Sequence, residues 1–245
     1  MATRYHVGAK HLQSTIAAYA KRFDLLEVRA DVPEKDATPT SLASLRRWRK
    51  QVPPHFEFSV IAGREVGNLR PGEALDRGVD ELKKVVTALE ARVIVIPTPT
   101  EVTPAVVWRD RMRKLLDRLP LDVTTAVWEP HGVWEQEDAA AAAAKWGIVL
   151  AVDAARDPVP PGQIAYVRLR ALGETRSFGP AALGRVVRAI GARRDAYVIL
   201  ETDKALAECR TLRRLAQGQK KGDAGGRVLV RPKLGGLRVR DDEQE

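Results

Sequence analysis

One short pattern recurs along most of the chain: a run of β-branched and other apolar residues, followed by an amphipathic helical stretch. Eight such runs are present, at residues 5–8, 25–29, 56–61, 93–96, 123–128, 148–152, 165–169 and 197–201. Short strands that alternate with helices are typical of parallel sheets with helical crossovers. Eight strand–helix units in about 217 residues predict a (β/α)8 TIM barrel, whose usual length is about 250 residues.

The helical stretches support this fold. They include "LASLRRWRK" from Leu42, "VDELKKVVTALE" from Val79, "VVWRDRMRKLLDRL" from Val106 and "ALGRVVRAI" from Ala182. The third has apolar residues at the spacing of a one-sided helical stripe. An open, doubly wound sheet is the alternative. Neither GxGxxG nor GxxxxGK[ST] follows any strand, which argues against a nucleotide-binding version of that alternative.

Composition excludes several classes of protein. Apolar residues make up 44% and charged residues 30% of the chain, as in globular proteins. No apolar run approaches the roughly 20 residues that span a bilayer, and the start "MATRYHVGAK" lacks the order of a secretory signal. The single cysteine, Cys209, forms no internal disulfide and no multi-cysteine zinc site. We therefore expect a cytoplasmic protein with no membrane partner.

The net charge of +9 makes nucleic acid an alternative partner, because basic surfaces bind phosphate backbones by counterion release. The excess of Lys and Arg over Asp and Glu is spread along residues 1–217. Residues 218–240 hold seven Lys and Arg against one acid before "DDEQE" reverses the sign. Within this segment "RVLVRP" and "LRVR" flank "KLGG" as a β-hairpin or a weakly ordered tail. The predicted division is a barrel at residues 1–217 and a basic tail at 218–245.

Several segments resemble the YecE-like family, a group of uncharacterised TIM-barrel proteins. "FDLLEVRADVPEKDATPTSLASLRRWRKQVPPHFEFSV" is similar to its second and third units, with "RWRKQVPPHFEFSV" the most specific part. "AYVRLR" resembles the family's "AYVRLHG", "WEPHGVW" its "EFRHPSW", and "YVILETD" its "YVYFNND". The resemblance runs from about Tyr19 to Gln217 and implies the barrel fold. It implies no reaction, because the family's activity is not settled.

The resemblance also shows which polar positions differ. The chain keeps the residues that match the family at Glu27, His131, Trp134, Asp153, Arg168 and Asp203. Its residues depart from the family's pattern at Arg29, Ile61, Val95, Pro130, Arg170, Glu201 and Thr202. The resemblance therefore implies a retained scaffold with an altered polar set.

Strand parity predicts where the polar residues meet. In "YVRLR", Tyr166, Arg168 and Arg170 share one face, whereas Val167 and Leu169 share the other. In a barrel, alternate residues point inward, and the carboxyl ends of the strands carry the functional site. An unpaired buried charge costs several kcal/mol. The two arginines are therefore predicted to lie inside a barrel, near its mouth.

Charged residues end other strands at the same parity. The predicted catalytic residues, which supply general acid or base chemistry, are Glu27, Glu129, His131 and Asp203. The predicted ligand-binding residues are Arg29, Asp153, Arg168, Arg170, Glu201, Trp128 and Trp134. Arginine pairs with phosphate and carboxylate groups through two parallel hydrogen bonds. The sequence thus predicts a mouth that binds a small anionic ligand, with the two tryptophans either stacking on a ring or closing the mouth.

Two alternatives remain at the same positions. The first is a non-catalytic scaffold with an internal ion network, in which Glu27 and Arg168 form the main pair. The second is a divalent-metal site built from Glu27, His131, Asp153, Glu201 and Asp203, which is weaker because the chain has four histidines and no HxH or HxxxH pair. No metal is predicted, and the sequence identifies neither a cofactor nor a reaction.

Overall fold

A computed structural model describes residues 3–12, 14–31, 41–172 and 176–225, with side chains of the last range described to residue 218. The strands are β1 (Arg4–Ala9), β2 (Leu25–Arg29), β3 (Glu57–Ile61), β4 (Val93–Thr98), β5 (Thr125–Pro130), β6 (Val149–Val152), β7 (Ile164–Arg170) and β8 (Asp195–Glu201). The helices are α1 (Ile16–Ala20), α2 (Leu42–Gln51), α3 (Arg64–Gly67), α4 (Glu73–Leu89), α5 (Val106–Leu116), α6 (Gln136–Trp146), α7 (Pro180–Ile190) and α8 (Ala205–Gly225). The predicted hairpin lies outside the described residues.

The eight strands form one parallel sheet in the order β1-β8-β7-β6-β5-β4-β3-β2. The longest ladder joins β7 to β8, from Ile164 opposite Asp195 to Arg170 opposite Glu201. From β2 to β8 each strand pairs with the next in sequence, and the first and last strands pair. The predicted TIM barrel is confirmed, and the open-sheet alternative is wrong.

The connection between β6 and β7 departs from the predicted repeat. Residues 153–163 form a turn and an irregular segment without a helix. Pro158, Pro160 and Pro161 explain this, because proline lacks the backbone N–H and pushes the preceding residue away from helical angles. The expected eight strand–helix units are therefore seven, and the third strand is followed by two helices, α3 and α4.

Apolar side chains form two layers. Those inside the barrel are Leu25, Val93, Val95, Val127, Tyr166, Tyr197 and Ile199, with Val149 and Ala151 packed against them. Those between barrel and helices include Val167 and Leu169, both fully buried. The predicted parity of "YVRLR" and the predicted apolar filling of the lower barrel are confirmed.

The barrel closes between β1 and β2 without a strand ladder in the described residues. The Tyr19 hydroxyl lies in this seam, where it accepts a hydrogen bond from the Ala9 N–H (2.8 Å) and donates to the Leu25 carbonyl (2.9 Å). The Asp24 N–H donates to the Val7 carbonyl at 3.0 Å. A Cβ atom at Gly8 would lie 2.4 Å from the Leu25 carbonyl oxygen, so only glycine permits this approach.

The last helix is longer than the sequence indicates. The segment "KALAECRTLRRLA" predicts a helix that ends near Ala216, whereas α8 continues to Gly225. In the part of the chain that the structure describes, no helix combines the length and apolar character needed to cross a bilayer.

Candidate functional site

Arg168 is the centre of the barrel mouth. Its guanidinium donates two hydrogen bonds to Glu27, from Nη2 to Oε1 (2.6 Å) and from Nη1 to Oε2 (2.8 Å). Nη1 also donates to Glu201 Oε1 at 2.9 Å. Nε lies 3.2 Å from Glu129 Oε1, an electrostatic contact that lacks hydrogen-bond geometry. The predicted Glu27–Arg168 pair is present, and strands β2, β5, β7 and β8 each supply one member of the cluster.

Burial makes this cluster energetically important. The exposed fraction is 9% for the Arg168 side chain and 3% for Glu27. Burial opposes the charge on Arg168, but the neighbouring carboxylates of Glu27 and Glu129 raise its pKa above the ordinary value. Burial alone would raise the pKa of Glu201, yet the hydrogen bond and positive charge of Arg168, aided by Lys10 and Arg170, lower it. Arg168 and Glu201 are therefore held in their charged forms.

Tyr166 supports the cluster from below. Its hydroxyl donates to Glu27 Oε1 at 2.6 Å and lies 3.1 Å from the Ser59 hydroxyl. The side chain is fully buried, and burial holds its pKa well above the ordinary value, followed in importance by the negative charge of Glu27. Tyr166 is thus a neutral donor, and Glu27 is fixed by one phenol and one guanidinium.

A second set of cations surrounds the cluster at the surface. Arg170 Nη2 donates to Glu129 Oε1 at 2.5 Å, and Lys10 Nζ lies 3.2 Å from Glu201 Oε2. The His131 ring is 3.9 Å from Glu129, beyond hydrogen-bond distance. Arg29 makes two contacts of 3.0 Å with Asp31. These four side chains are 41–50% exposed.

A pocket of about 660 Å³ opens above the cluster. Its charged walls are formed by Lys10, Glu27, Arg29, Glu129, Arg168 and Arg170. The remaining lining side chains are His11, Leu12, Leu26, Val28, Trp48, Ile61, Pro97 and His131. The pocket brings together six of the predicted site residues: Glu27, Arg29, Glu129, His131, Arg168 and Arg170. A seventh, Glu201, contacts it through Arg168.

Asp153 and Asp203 lie outside this pocket. The Asp153 carboxylate accepts from the Ala155 N–H at 3.0 Å, and its carbonyl accepts from two N–H groups of the following turn. Burial raises its pKa, although the hydrogen bonds from the N–H groups of Ala155 and Arg170 oppose the shift. Asp153 thus caps the turn after β6. Asp203 is exposed and lines two adjoining cavities instead.

The two tryptophans do not reach the mouth pocket. Trp128 has no exposed surface, donates from Nε1 to the Thr98 hydroxyl at 2.9 Å and packs edge-on against Trp134 and Trp146. Trp134 donates to the Val102 carbonyl at 2.7 Å. The physical reason is parity: Val127 and Glu129 face inward, so Trp128 faces the helices. Their predicted roles as mouth residues are corrected to packing roles.

The guanidinium of Arg168 occupies the point where three carboxylates converge. Among the described residues, no group of three or more His, Cys, Asp and Glu side chains is arranged to hold a metal ion. The proposed ligand set of the metal alternative is also dispersed, because Asp153 caps a turn and Asp203 lies at a different cavity.

Sequence reasoning missed Lys10 of the pocket and two residues of the layer beneath it. Lys10 follows β1, and Tyr166 and Ser59 share the inward parity of their strands; Lys10 adds a cation to the rim, and the two hydroxyls meet below Glu27. The predicted first strand ends at residue 8, two residues before Lys10, so its sequence places no charged residue at the strand end. Trp48 packs against the core from α2 and also lines the pocket.

A model of the family described as "Protein of unknown function DUF72" matches residues 2–228. Among solved structures, a DUF72 family protein from Thermotoga maritima MSB8 is similar, with a TM-score of 0.64, 14% identity, and 87% and 99% of the two chains covered. One from Enterococcus faecalis V583 has a TM-score of 0.68, 11% identity, and 87% and 96% coverage. D-psicose 3-epimerase with D-tagatose, from Clostridium cellulolyticum H10, has a TM-score of 0.52, 11% identity, and 89% and 98% coverage. No curated protein matches the chain.

Proposed function

The chain belongs to the DUF72 family of proteins of unknown function, and we propose that this member binds a small anionic ligand, a phosphate or carboxylate compound, in the mouth pocket. The observation that carries the proposal is an asymmetry of exposure. The pocket's cations Lys10, Arg29 and Arg170 have side chains that are 50%, 41% and 45% exposed. Its acids Glu27 and Glu129 are 3% and 13% exposed.

This asymmetry gives the pocket a positive accessible surface. The buried carboxylates bind Arg168 and orient Arg170 from below, whereas the ends of the outer cations reach solvent. Arginine and lysine bind phosphate and carboxylate groups through charge-assisted hydrogen bonds. A volume of about 660 Å³ lies within the usual range of small-molecule sites.

The chemistry of the walls favours a ligand with hydroxyl groups beside its anionic group. Trp48, Leu12 and Leu26 provide an apolar side, and His131 provides a hydrogen-bonding group at the rim. D-psicose 3-epimerase, a structural relative, is described in complex with the sugar D-tagatose. Sugar phosphates and sugar acids are therefore the first compounds to test.

The proposal changes the role of several predicted residues. Arg168, predicted to bind the ligand, is saturated by carboxylates and acts as a positioning residue. Glu27, predicted to be catalytic, is similarly occupied by Arg168 and Tyr166. Arg170 and Lys10 are the ligand-binding groups, and His11 and His131 are the exposed imidazoles that line the pocket.

The test is a thermal unfolding titration with inorganic phosphate, ribose 5-phosphate, glucose 6-phosphate and gluconate. A ligand present at 100 times its Kd stabilises a protein by about 2.7 kcal/mol. For a chain of this length that corresponds to a rise in Tm of roughly 5 to 10 °C. We expect this rise for at least one anion, and its loss in the variant Lys10→Gln with Arg170→Gln.

The matched control is Arg113→Gln with Lys114→Gln on α5, which removes two exposed charges away from the pocket. This control should keep the rise in Tm, and neutral D-tagatose should produce none. An equal rise in the pocket variant would overturn the proposal. No rise with any of the anions would favour the alternative of a non-catalytic scaffold in which the ion network is structural.

A further inference from the structure

The net positive charge is concentrated on one side of the molecule rather than spread over its body. Three segments on the outside of the barrel, residues 16–24, 42–51 and 205–218, contain nine Lys and Arg and two acids. The cations are Lys21, Arg22, Arg46, Arg47, Arg49, Lys50, Arg210, Arg213 and Arg214. These segments comprise α1 with its following turn, α2, and the described side chains of α8. We call this surface the basic face.

The three segments adjoin one another. Arg213 of α8 donates to the Arg22 carbonyl at 3.1 Å and to the Asp24 carboxylate, which ties α8 to the turn after α1. Cys209 Sγ lies 3.7 Å from the same Arg22 carbonyl oxygen. α1 packs against α2 in turn. The basic face is thus one continuous surface.

The two acids of the basic face are already engaged. Glu208 is 4% exposed and accepts hydrogen bonds from the Phe178 N–H and the Thr202 hydroxyl. Asp24 is paired with Arg213. Seven of the nine cations are exposed: Lys21, Arg22, Arg46, Arg47, Lys50, Arg210 and Arg214. Of the remaining two, Arg49 lies 4.0 Å from Glu90 at the end of α4.

A groove between α1 and α8 extends this surface inward. It has a volume of about 320 Å³ and is lined by Arg22, Lys204 and Arg210, with Asp203 as its acid. Tyr19 and Phe23 form its base, but they are only 2% and 7% exposed. The groove therefore offers cations to a partner and little aromatic surface.

We propose that the basic face binds the phosphate backbone of nucleic acid, independently of base sequence. Five of the seven exposed cations are arginines, whose planar guanidinium groups match phosphate oxygens. Three adjacent helices, 8–10 Å apart at typical spacings, form a surface roughly 20 Å wide, enough for several successive phosphates. In the groove, the buried rings of Tyr19 and Phe23 leave no platform on which bases would stack.

The same surface does not suit an anionic membrane. Membrane-surface helices insert large apolar side chains between the headgroups. The exposed large hydrophobic residues among those described are Val106, Val107, Leu121, Val123, Val133 and Leu172. None of them belongs to the basic face.

The test measures binding of the full chain to a fluorescent 20-base-pair DNA duplex, an RNA duplex of the same length and a single strand. We expect binding at 50 mM salt that weakens by about a thousandfold at 200 mM, as for a protein that contacts about six phosphates. The variants Arg46→Glu with Arg47→Glu, and Arg210→Glu with Arg214→Glu, should each lower the affinity about tenfold or more. Each lost contact should reduce the slope of log affinity against log salt by about one.

The control reverses the same amount of charge on the opposite side of the barrel, with Arg113→Glu and Lys114→Glu on α5. It should bind the duplexes nearly as tightly as the unchanged chain. The assignment is overturned if this control loses as much affinity as the variants of the basic face, or if salt has no effect. It is also overturned if the protein binds vesicles containing phosphatidylserine and none of the nucleic acids. The titration of the mouth pocket is independent, because the four arginines do not line that pocket.

Discussion

Both ends of the barrel hold a buried charged group, but the two centres have opposite signs and different surroundings. At the mouth the centre is the cation Arg168, whose main partners Glu27, Glu129 and Glu201 are themselves 3–13% exposed. At the opposite end the centre is Asp195, 5% exposed, which binds Arg4, Arg194 and His6. Arg4 and Arg194 are 63% and 56% exposed.

This difference in side-chain exposure decides how much each end contributes to the stability of the fold. The outer arginines at the Asp195 end are solvated whether or not they are paired, so each adds little. The carboxylates around Arg168 have lost most of their hydration, and all three depend on this one shared guanidinium for compensation. Substitutions at the Asp195 end are therefore expected to cost less stability than those in the Arg168 cluster. At the mouth, this cluster forms a fixed charged layer beneath the exposed side chains of the rim.

The two centres are joined through the barrel interior by aromatic rings. His6, which contacts Asp195, stacks on Tyr197 at a centroid distance of 4.8 Å. Tyr197 is in turn 6.0 Å from Tyr166, whose hydroxyl binds Glu27. Tyr197 of β8 and Tyr166 of β7 thus fill the space between the two charged centres. The charged groups of the two centres do not contact each other directly.

The largest effect is expected from Arg168→Met. Loss of the guanidinium leaves three buried carboxylates without their common cation, and the free energy of unfolding should fall by about 3 to 5 kcal/mol. Urea denaturation at pH 7 measures it. Arg168→Lys, which restores charge but not the paired hydrogen bonds, should be intermediate. A change below about 1 kcal/mol for Arg168→Met would remove the contrast between the ends.

Asp195→Asn should lower the free energy of unfolding by less, about 1.5 to 3 kcal/mol, the usual contribution of hydrogen bonds to a charged group. The variant leaves two exposed arginines, which water solvates, and one largely buried imidazole, His6, without the carboxylate. The same denaturation experiment applies. A loss larger than that of Arg168→Met would reverse the order of the two ends.

Low pH should destabilise the protein through the charged groups at both ends of the barrel. Burial alone would raise the pKa of Asp195, but hydrogen bonds from Arg4, His6 and Arg194 lower it, and the pKa of Glu201 is also lowered. A lowered folded-state pKa stabilises the protein above the unfolded value, about 3.9 for Asp and 4.3 for Glu, and this stability is lost as pH falls further. Unfolding free energies measured from pH 7 to 3 should fall below about pH 4. The fall should be shallower for Asp195→Asn, and an unchanged slope would show that Asp195 is not involved.

Arg4→Gln should have the smallest effect, below about 1 kcal/mol, because this side chain is 63% exposed and Arg194 still neutralises Asp195. Its effect should also shrink in 1 M salt, which screens exposed ion pairs. If Arg4→Gln were as destabilising as Asp195→Asn, the partners at this end would act cooperatively, and the comparison would need revision.

The sequence predicted the barrel and much of its mouth because period-two parity is a local property. Glu27, Glu129 and Arg168 met as expected once the strands closed. The same rule places Trp128 outside the mouth, because it neighbours Glu129 in sequence but has the opposite parity. Its prediction as a mouth residue was therefore wrong. The distinction between Arg168 and Arg170 was not predictable, because both share one face and their exposures differ only through depth in the barrel.

The position of the net charge was also hidden in the sequence. The three segments of the basic face are far apart along the chain, and only the closure of β8 onto β1 brings α8 beside α1. The absence of a helix between β6 and β7 is encoded locally, because Pro158, Pro160 and Pro161 lie in that segment and interrupt the regular repeat.

The seam at Tyr19 is the place where the barrel is expected to open transiently. Every other neighbouring pair of strands is joined by a ladder, whereas β1 and β2 depend on one phenolic hydroxyl and one backbone hydrogen bond in the described residues. Transient opening should start there, and the amides of Ala9 and Asp24 should exchange with deuterium before those in the middle of β7 and β8. Lys10 and Glu27 flank this seam, so such opening would widen the mouth from its weakest side.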